Sequence, residues 1–280
     1  MIMSKRLRFV GLVCGAVLVL AATPALERGE SGQVIKIIDG DSFILDGGLE
    51  VRLAQIEAPR VRPGDTWGAR ASADLEKLLL GKKVELRYSG LRRDRRGRAI
   101  AHVFIPQGFG KEAIWVQPMV LKAGLARVHT YADNRAYIGE LWQAERAARR
   151  EGRGLWGSRA YQVRYATPEA LQGGLNSFQL MEGKVASASQ RGKVMFLNFG
   201  TDAKTDVTAV IPQSAFQRWP GGVQELTALQ GRSIRVRGYV RNSNGPSVWL
   251  DHPEQIEFIM AAPSQAKPND MKQAGRSLSR

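Results

Sequence analysis

The stretch VIKIIDGDSF, residues 34–43, runs from apolar, β-branched residues straight into two aspartates that flank a glycine. The apolar, β-branched run of residues 34–38 marks a β-strand, and Asp39-Gly40-Asp41 marks the tight turn that ends it. Residues 42–45 form a second strand. Asp46-Gly47-Gly48 supplies the next turn, and residues 49–56 follow as a third strand, so this part of the chain is a meander. Trp67, Ala71, Leu75, Leu78 and Leu79 then recur at helical spacing from about Thr66, with Gly81 as the stop. Residues 82–88 and 98–105 complete five strands, joined by the polar turn SGLRRDRRG. Two more helices follow. One ends at Ala123-Gly124, and the other begins after Asp133, with Ile138, Leu141, Ala144 and Ala148 on its inner face. Five strands with helices to cover them predict a closed small barrel of OB type.

The expected fold is mainly β with α, in two small barrels. The first, residues 32–157, has five strands and three helices. Residues 158–178 read as a linker. Residues 179–262 form a second strand-rich unit of three strands, a short helix and two strands, again an OB-like barrel. The Ser-, Lys- and Gln-rich residues 263–280 read as a disordered tail. Residues 1–25 read as an export signal. Lys5, Arg6 and Arg8 precede an apolar core too short to span a bilayer comfortably, and Thr23-Pro24-Ala25 offers small residues for cleavage. A periplasmic or secreted protein is expected.

The 280 residues carry a formal net charge of +15, which points to polyanions, with nucleic acid and anionic lipid headgroups both candidates on charge alone. The one cysteine, Cys14, lies within the export signal, so disulfides and cysteine-based zinc sites are excluded from the remainder. The three histidines, His102, His129 and His252, are far apart in sequence, which argues against a histidine-metal nuclease and a Ser-His-Asp hydrolase.

The acids of the opening turn invite two readings. Asp-Gly-Asp alone is a solvated turn. With Glu57 at the end of the third strand, just before Ala58-Pro59, the meander can bring Asp39, Asp41 and Glu57 to one barrel edge. Carboxylates with a backbone carbonyl are oxygen-only ligands, suited to Ca²⁺ or Mg²⁺. Arginine favours the second reading. Arg52 lies on the strand that leads to Glu57, and Arg98 enters the next strand after Gly97. Two guanidinium forks beside a hard cation make a phosphoryl clamp. Arg92, Arg93, Arg95 and Arg96 read as a solvated basic loop that steers polyanions generally.

The motifs IDGDSF, VRLAQIEAP, WGARASADLEKLL, DRRGRAIAHVF and VLKAGLARV…YADN…AERAARREGRGLW resemble, in order and spacing, the staphylococcal nuclease (thermonuclease, SNase-like) family. The resemblance covers residues 32–157. It implies a Ca²⁺-dependent phosphodiesterase acting on DNA and RNA, with Mg²⁺ as the other candidate cation. Carried onto this chain, Asp41 and Glu57 match the metal-binding acids, Ala58 offers its carbonyl, and Asp39 is nearby. Arg52 and Arg98 match the pair that binds the scissile phosphate. Tyr131 falls where the family has a nucleotide-contacting tyrosine. Two departures stand out. The family's water-activating glutamate follows the motif's proline, and here that position is Arg60; Glu57 stands where an aspartate is usual. Asp65 and Glu57 are the substitutes for the missing base. The second unit resembles a small OB-like barrel appended to some bacterial SNase-like proteins. Its Arg235, Arg237, Arg241 and Trp249 offer charge and a stacking surface for single strands, or else a solvated sheet face and a core tryptophan. His252 reads as a turn residue. A catalytically inactive nucleic-acid binder on the same scaffold and a lipid-binding envelope protein are the competing functions.

Overall fold

The computed structural model describes residues 25–61, 66–202 and 204–259. The export signal, Asp65 and the tail from residue 263 therefore lie outside the described residues. The first unit contains β1 (Glu27–Asp39), β2 (Ser42–Leu45), β3 (Glu50–Leu53), β4 (Ile56–Glu57), α1 (Thr66–Leu79), β5 (Lys83–Tyr88), β6 (Ala99–Ile105), β7 (Ile114–Trp115), α2 (Val116–Lys122), β8 (Arg127–Val128) and α3 (Ile138–Arg150). Its sheet runs β3-β2-β1-β5-β6, and β3 pairs in parallel with β6 to close a five-stranded barrel. Phe43, Val51, Leu53, Leu75, Leu79 and Val103 fill the interior.

The second unit contains β9 (Arg164–Tyr165), α4 (Pro168–Leu171), β10 (Ser177–Lys184), β11 (Ser187–Arg191), β12 (Val194–Asn198), β13 (Thr208–Pro212), α5 (Gly222–Thr227), β14 (Ser233–Asn242), β15 (Pro246–Trp249) and β16 (Ile256–Phe258). Its sheet order is β11-β12-β13-β15-β14-β10-β9, with β13 parallel to β15. β10 and β11 are successive stretches of one chain run and stand at the two ends of the path β11-β12-β13-β15-β14-β10. That run plays the part β1 plays in the first unit. Both units thus share one order, 1-2-3-5-4-1, with a helix between strands three and four, which is the OB plan.

Residues 158–178 differ from the expected linker. Arg164 and Tyr165 pair in parallel with Met181 and Glu182, and Thr167 caps α4 through the backbone N–H of Ala170. The segment is built into the second sheet by pairings that no local pattern announces.

The units are joined by an apolar seam and an ionic cluster. Ala148 and Trp156 of the first pack on Phe178 and Leu180 of the second. Beside them Arg237, 1% exposed, donates to Val128 O at 2.8 Å and to Glu145 Oε2 at 3.0 Å, and also pairs with Glu257. Arg146 and Arg149 approach Glu257 from α3 at 3.1 and 3.6 Å. Arg237, expected as a charge for ligand binding or a solvated face, is instead the centre of a buried junction. Arg235 is likewise engaged, 2.6 Å from Glu182. His252 is no open turn residue: it is buried, and its Nε2 lies 2.7 Å from Thr130 Oγ1 of the first unit.

Burial pushes the Glu257 carboxyl up, but Arg237, Arg149 and Arg235 outweigh it and lower its pKa from 4.5 to about 2. A depressed carboxylate stabilises the fold above its unfolded pKa and loses that contribution as pH falls through the folded one. The loss between pH 4.5 and about 2 is on the order of 3 kcal/mol. Denaturant titrations across that range should show an acid limb that Glu257→Gln flattens; an identical limb in the variant would contradict the assignment.

Candidate active-site cleft

The β1–β2 turn and the β5–β6 connection rise beside β3 at one end of the first barrel, where OB folds carry their ligands. Asp39 Oδ1 accepts the backbone N–H of Asp41 at 3.1 Å, which tightens the turn. Glycine is required at position 40, because a Cβ there would stand 2.6 Å from Ala71 Cβ and 2.7 Å from Ala58 Cβ. Asp41, 5% exposed, is aimed inward: Oδ1 accepts from Ser42 Oγ and Oδ2 from the Ala58 N–H, both at 2.9 Å. Arg52, whose strand position pairs with Ser42, sets Nη2 3.9 Å from Asp41 Oδ2. Burial pushes the Asp41 carboxyl up, Arg52 opposes it, Asp39 adds to it, and the balance stands at about 7.

Arg98 is held by the turn that precedes it. Gly97 takes φ +81°, and Asp94 accepts the N–H groups of Arg96 and Arg98 at 2.8 and 3.1 Å. Asp94 Oδ2 also takes Arg98 Nε at 2.7 Å, while Nη1 stands 3.5 Å from Glu50. Partial burial raises the Asp94 pKa, and these hydrogen bonds from Arg98 and the backbone bring it below the usual range.

Asp39, Asp41, Arg52, Glu57, Ala58 and Arg98 all line one cleft of about 610 Å³, together with Arg60, Arg95 and Arg96. Arg92 and Arg93 are occupied elsewhere. Arg92 pairs with Glu27 and lies over the Tyr88 ring, and Arg93 pairs with Glu30 and the Tyr88 hydroxyl. Tyr131 stacks on His129 at 4.5 Å and lines the neighbouring groove.

Glu57 is the departure from the expected picture. Tyr239 of the second unit donates its hydroxyl to Oε1 at 2.8 Å, and His129 Nδ1 lies 2.7 Å from Oε2. Burial alone would raise its pKa; His129 and Tyr239 lower it to about 2. Neither partner stands out in the sequence as a companion of Glu57. His129 follows the residues that pair β8 with β4, and Tyr239 lies 182 positions from Glu57, so no local pattern links them.

Among the described residues, no three acidic or histidine side chains converge closely enough to hold a metal ion. Asp41 nevertheless fits a hard cation. It is a desolvated carboxylate beside a second one, with a guanidinium at 3.9 Å as its nearest counter-charge. The Ala58 carbonyl and Asp39 are the adjacent oxygen donors. Glu57 fits only after leaving Tyr239 and His129.

Residues 50–158 match the Staphylococcal nuclease homologue family. A thermonuclease of Staphylococcus intermedius is 32% identical over 136 residues, covering 46% of this chain and 77% of that protein. The chain belongs to the staphylococcal nuclease family. A thermonuclease of Staphylococcus hyicus is 28% identical over 164 residues, 52% of this chain and 94% of the relative. The "Probable endonuclease LCL3" of Paracoccidioides lutzii is 33% identical over 123 residues, 40% and 34% of the two chains. These similarities leave the second barrel largely uncovered, so its role rests on its own residues.

Proposed function

We propose that the protein is an exported nuclease that hydrolyses phosphodiester bonds of DNA and RNA in this cleft with a divalent cation, Ca²⁺ or Mg²⁺. The observation that carries the reading is Arg52 and Arg98 lining one cleft with the buried carboxylate of Asp41. Arg52 and Arg98 are the anchors for the scissile phosphate, each able to fork two N–H donors onto its oxygens. Asp41, with Asp39 and the Ala58 carbonyl, would hold the cation. When bound, it supplies positive charge against the same phosphoryl group. Arg95 and Arg96 draw the polyanion in. Export rests on the N-terminal sequence; among the described residues, no helix is long and apolar enough to cross a membrane.

Among the described residues, the position after Pro59 offers the attacking water no proton acceptor. Arg60 is permanently charged, and Glu57, depressed to about 2, is a weak base. A slow enzyme is expected. Arg60→Glu should raise single-turnover cleavage of a single-stranded oligonucleotide toward the ~10²–10⁴-fold that a general base contributes. An unchanged rate would count against the cleft as a hydrolytic site. Arg60 and the engaged Glu57 favour one second reading, a nucleic-acid binder that does not cleave. It would show salt-sensitive, chelator-insensitive binding without products.

A further inference from the structure

The second barrel presents an outward face that the nuclease reading leaves unused. On β14 the alternation sends Arg235, Arg237, Tyr239 and Arg241 to one side, while Ile234, Val236 and Val240 enter the core. Arg237 and Tyr239 bond residues of the first unit, and Arg235 pairs with Glu182 and Glu257; Arg241 is exposed and lines a groove of about 740 Å³. Arg241 pairs with Ser247 of β15, so Trp249, two residues further on, stands on the same face. Trp249 pairs with Val210 of β13, and Val210 with Phe196 of β12, which extends the row across four strands.

The result is one continuous surface. Trp249, 51% exposed, is shared by the larger groove and a second one of about 290 Å³ lined by Phe196, Arg191 and Asn244. This smaller groove lies on strands two and three with the loops at their ends, the part of an OB barrel that takes oligonucleotides. At its other end the surface reaches Tyr239, 42% exposed, whose hydroxyl rests on Glu57 in the cleft. Arg218 and Arg241 line the larger groove with Tyr239 and Trp249. Of its acids, Asp251 is paired with the His252 ring and Asp133 accepts the Leu91 N–H.

We propose that this face is a track for single-stranded nucleic acid that delivers the strand to the cleft. Aromatic rings at spaced positions stack unpaired bases of any sequence, and arginines follow the phosphates; duplex hides its base faces and lacks that contact. The occupant is argued from the charge of the chain and from continuity with the cleft, and it rests on the nuclease reading for its direction. The track also gives the second barrel a purpose: processive or length-dependent capture of substrate.

The test measures binding of fluorescent single strands of about 16 and about 4 nucleotides, the range of site sizes for such barrels, and of a duplex, with chelator present to prevent cleavage. Trp249→Ala should weaken the long strand by about 5- to 100-fold, Trp249→Phe should restore most of it, and Arg241→Ala should lower the salt dependence by about one phosphate contact. Trp249 is half exposed, so truncation leaves the core intact. Equal affinity of wild type and Trp249→Ala for the long strand, or duplex binding as tight as single strand, would overturn the track. Trp249-dependent binding without cleavage under any divalent cation would instead overturn the nuclease reading and leave the track standing.

Discussion

Arg98→Ala and Arg52→Ala should each lower kcat for single-stranded substrate by about 10²–10³, the cost of removing one preorganised donor from a developing oxyanion. The two losses arise differently. Arg98 is presented by Asp94 and Glu50 and reaches the cleft from the β5–β6 turn, so truncation removes a phosphate contact and leaves the barrel whole. Arg52 is also the nearest counter-charge to Asp41, and its removal leaves a desolvated carboxylate next to Asp39. Arg52→Ala should therefore destabilise the fold as well. Lysine at either position keeps the charge but loses the fork, and should fall between wild type and alanine. Contacts realised in the transition state lower kcat with little change in KM. A variant with raised KM and unchanged kcat would demote its arginine to substrate binding.

The largest structural effect is expected at Arg237. Arg237→Ala should cost about 3–5 kcal/mol, because it removes the central cation between the buried carboxylates of Glu145 and Glu257 and leaves them only the flanking arginines of α3 and β14. The excess buried negative charge does the damage, more than the missing hydrogen bonds of the guanidinium. Neutralising the central triad together, as Arg237→Met with Glu145→Gln and Glu257→Gln, should recover part of the loss, since Arg149 and Arg235 then lose carboxylate partners in turn. Glutamine at 145 can still accept the Val128 N–H, which Glu145 takes at 2.8 Å. The consequence reaches the cleft, since Arg237 and Tyr239 stand two residues apart on one face of β14, and Tyr239 holds Glu57. Chemical denaturation of the single and triple variants decides it. A loss below about 1 kcal/mol for Arg237→Ala would mean that the apolar seam alone fixes the junction.

The sequence makes some parts of the molecule legible and hides others for identifiable reasons. α1 shows in its periodicity, and its limits at Thr66 and Leu79 match the apolar stripe. Asp39, Asp41 and Arg52 line one cleft with Arg98, the first three held close by the short connections of the β1–β3 meander. β1, in contrast, begins at Glu27 and not at residue 34. Residues 27–33 have no apolar alternation, and it is their pairing with β5 across the barrel that makes them strand. β10 and the start of β11 read from the sequence as one strand, and residues 158–178 as linker; both differences come from sheet pairings that the local pattern does not show. The arginines of β14 illustrate the limit most clearly. Alternation puts Arg237 and Arg241 on the same face, but only tertiary packing buries the first against Glu145 and leaves the second in an open groove. Trp249, which the sequence allows as either core or platform, lies on the surface. The engagement of Glu57 by His129 and Tyr239 emerges only once both barrels are in place.

The central claim is that Asp41, with its neighbours, assembles a cation-dependent phosphodiesterase around Arg52 and Arg98. It is tested most directly by following cleavage of a labelled single-stranded oligonucleotide by the full chain and by Asp41→Asn, with Ca²⁺ titrated against chelator. The account predicts products that appear with the cation, vanish with chelator and are lost in Asp41→Asn while folding is retained. Products indifferent to both chelator and Asp41→Asn, or none with any divalent cation, would contradict it.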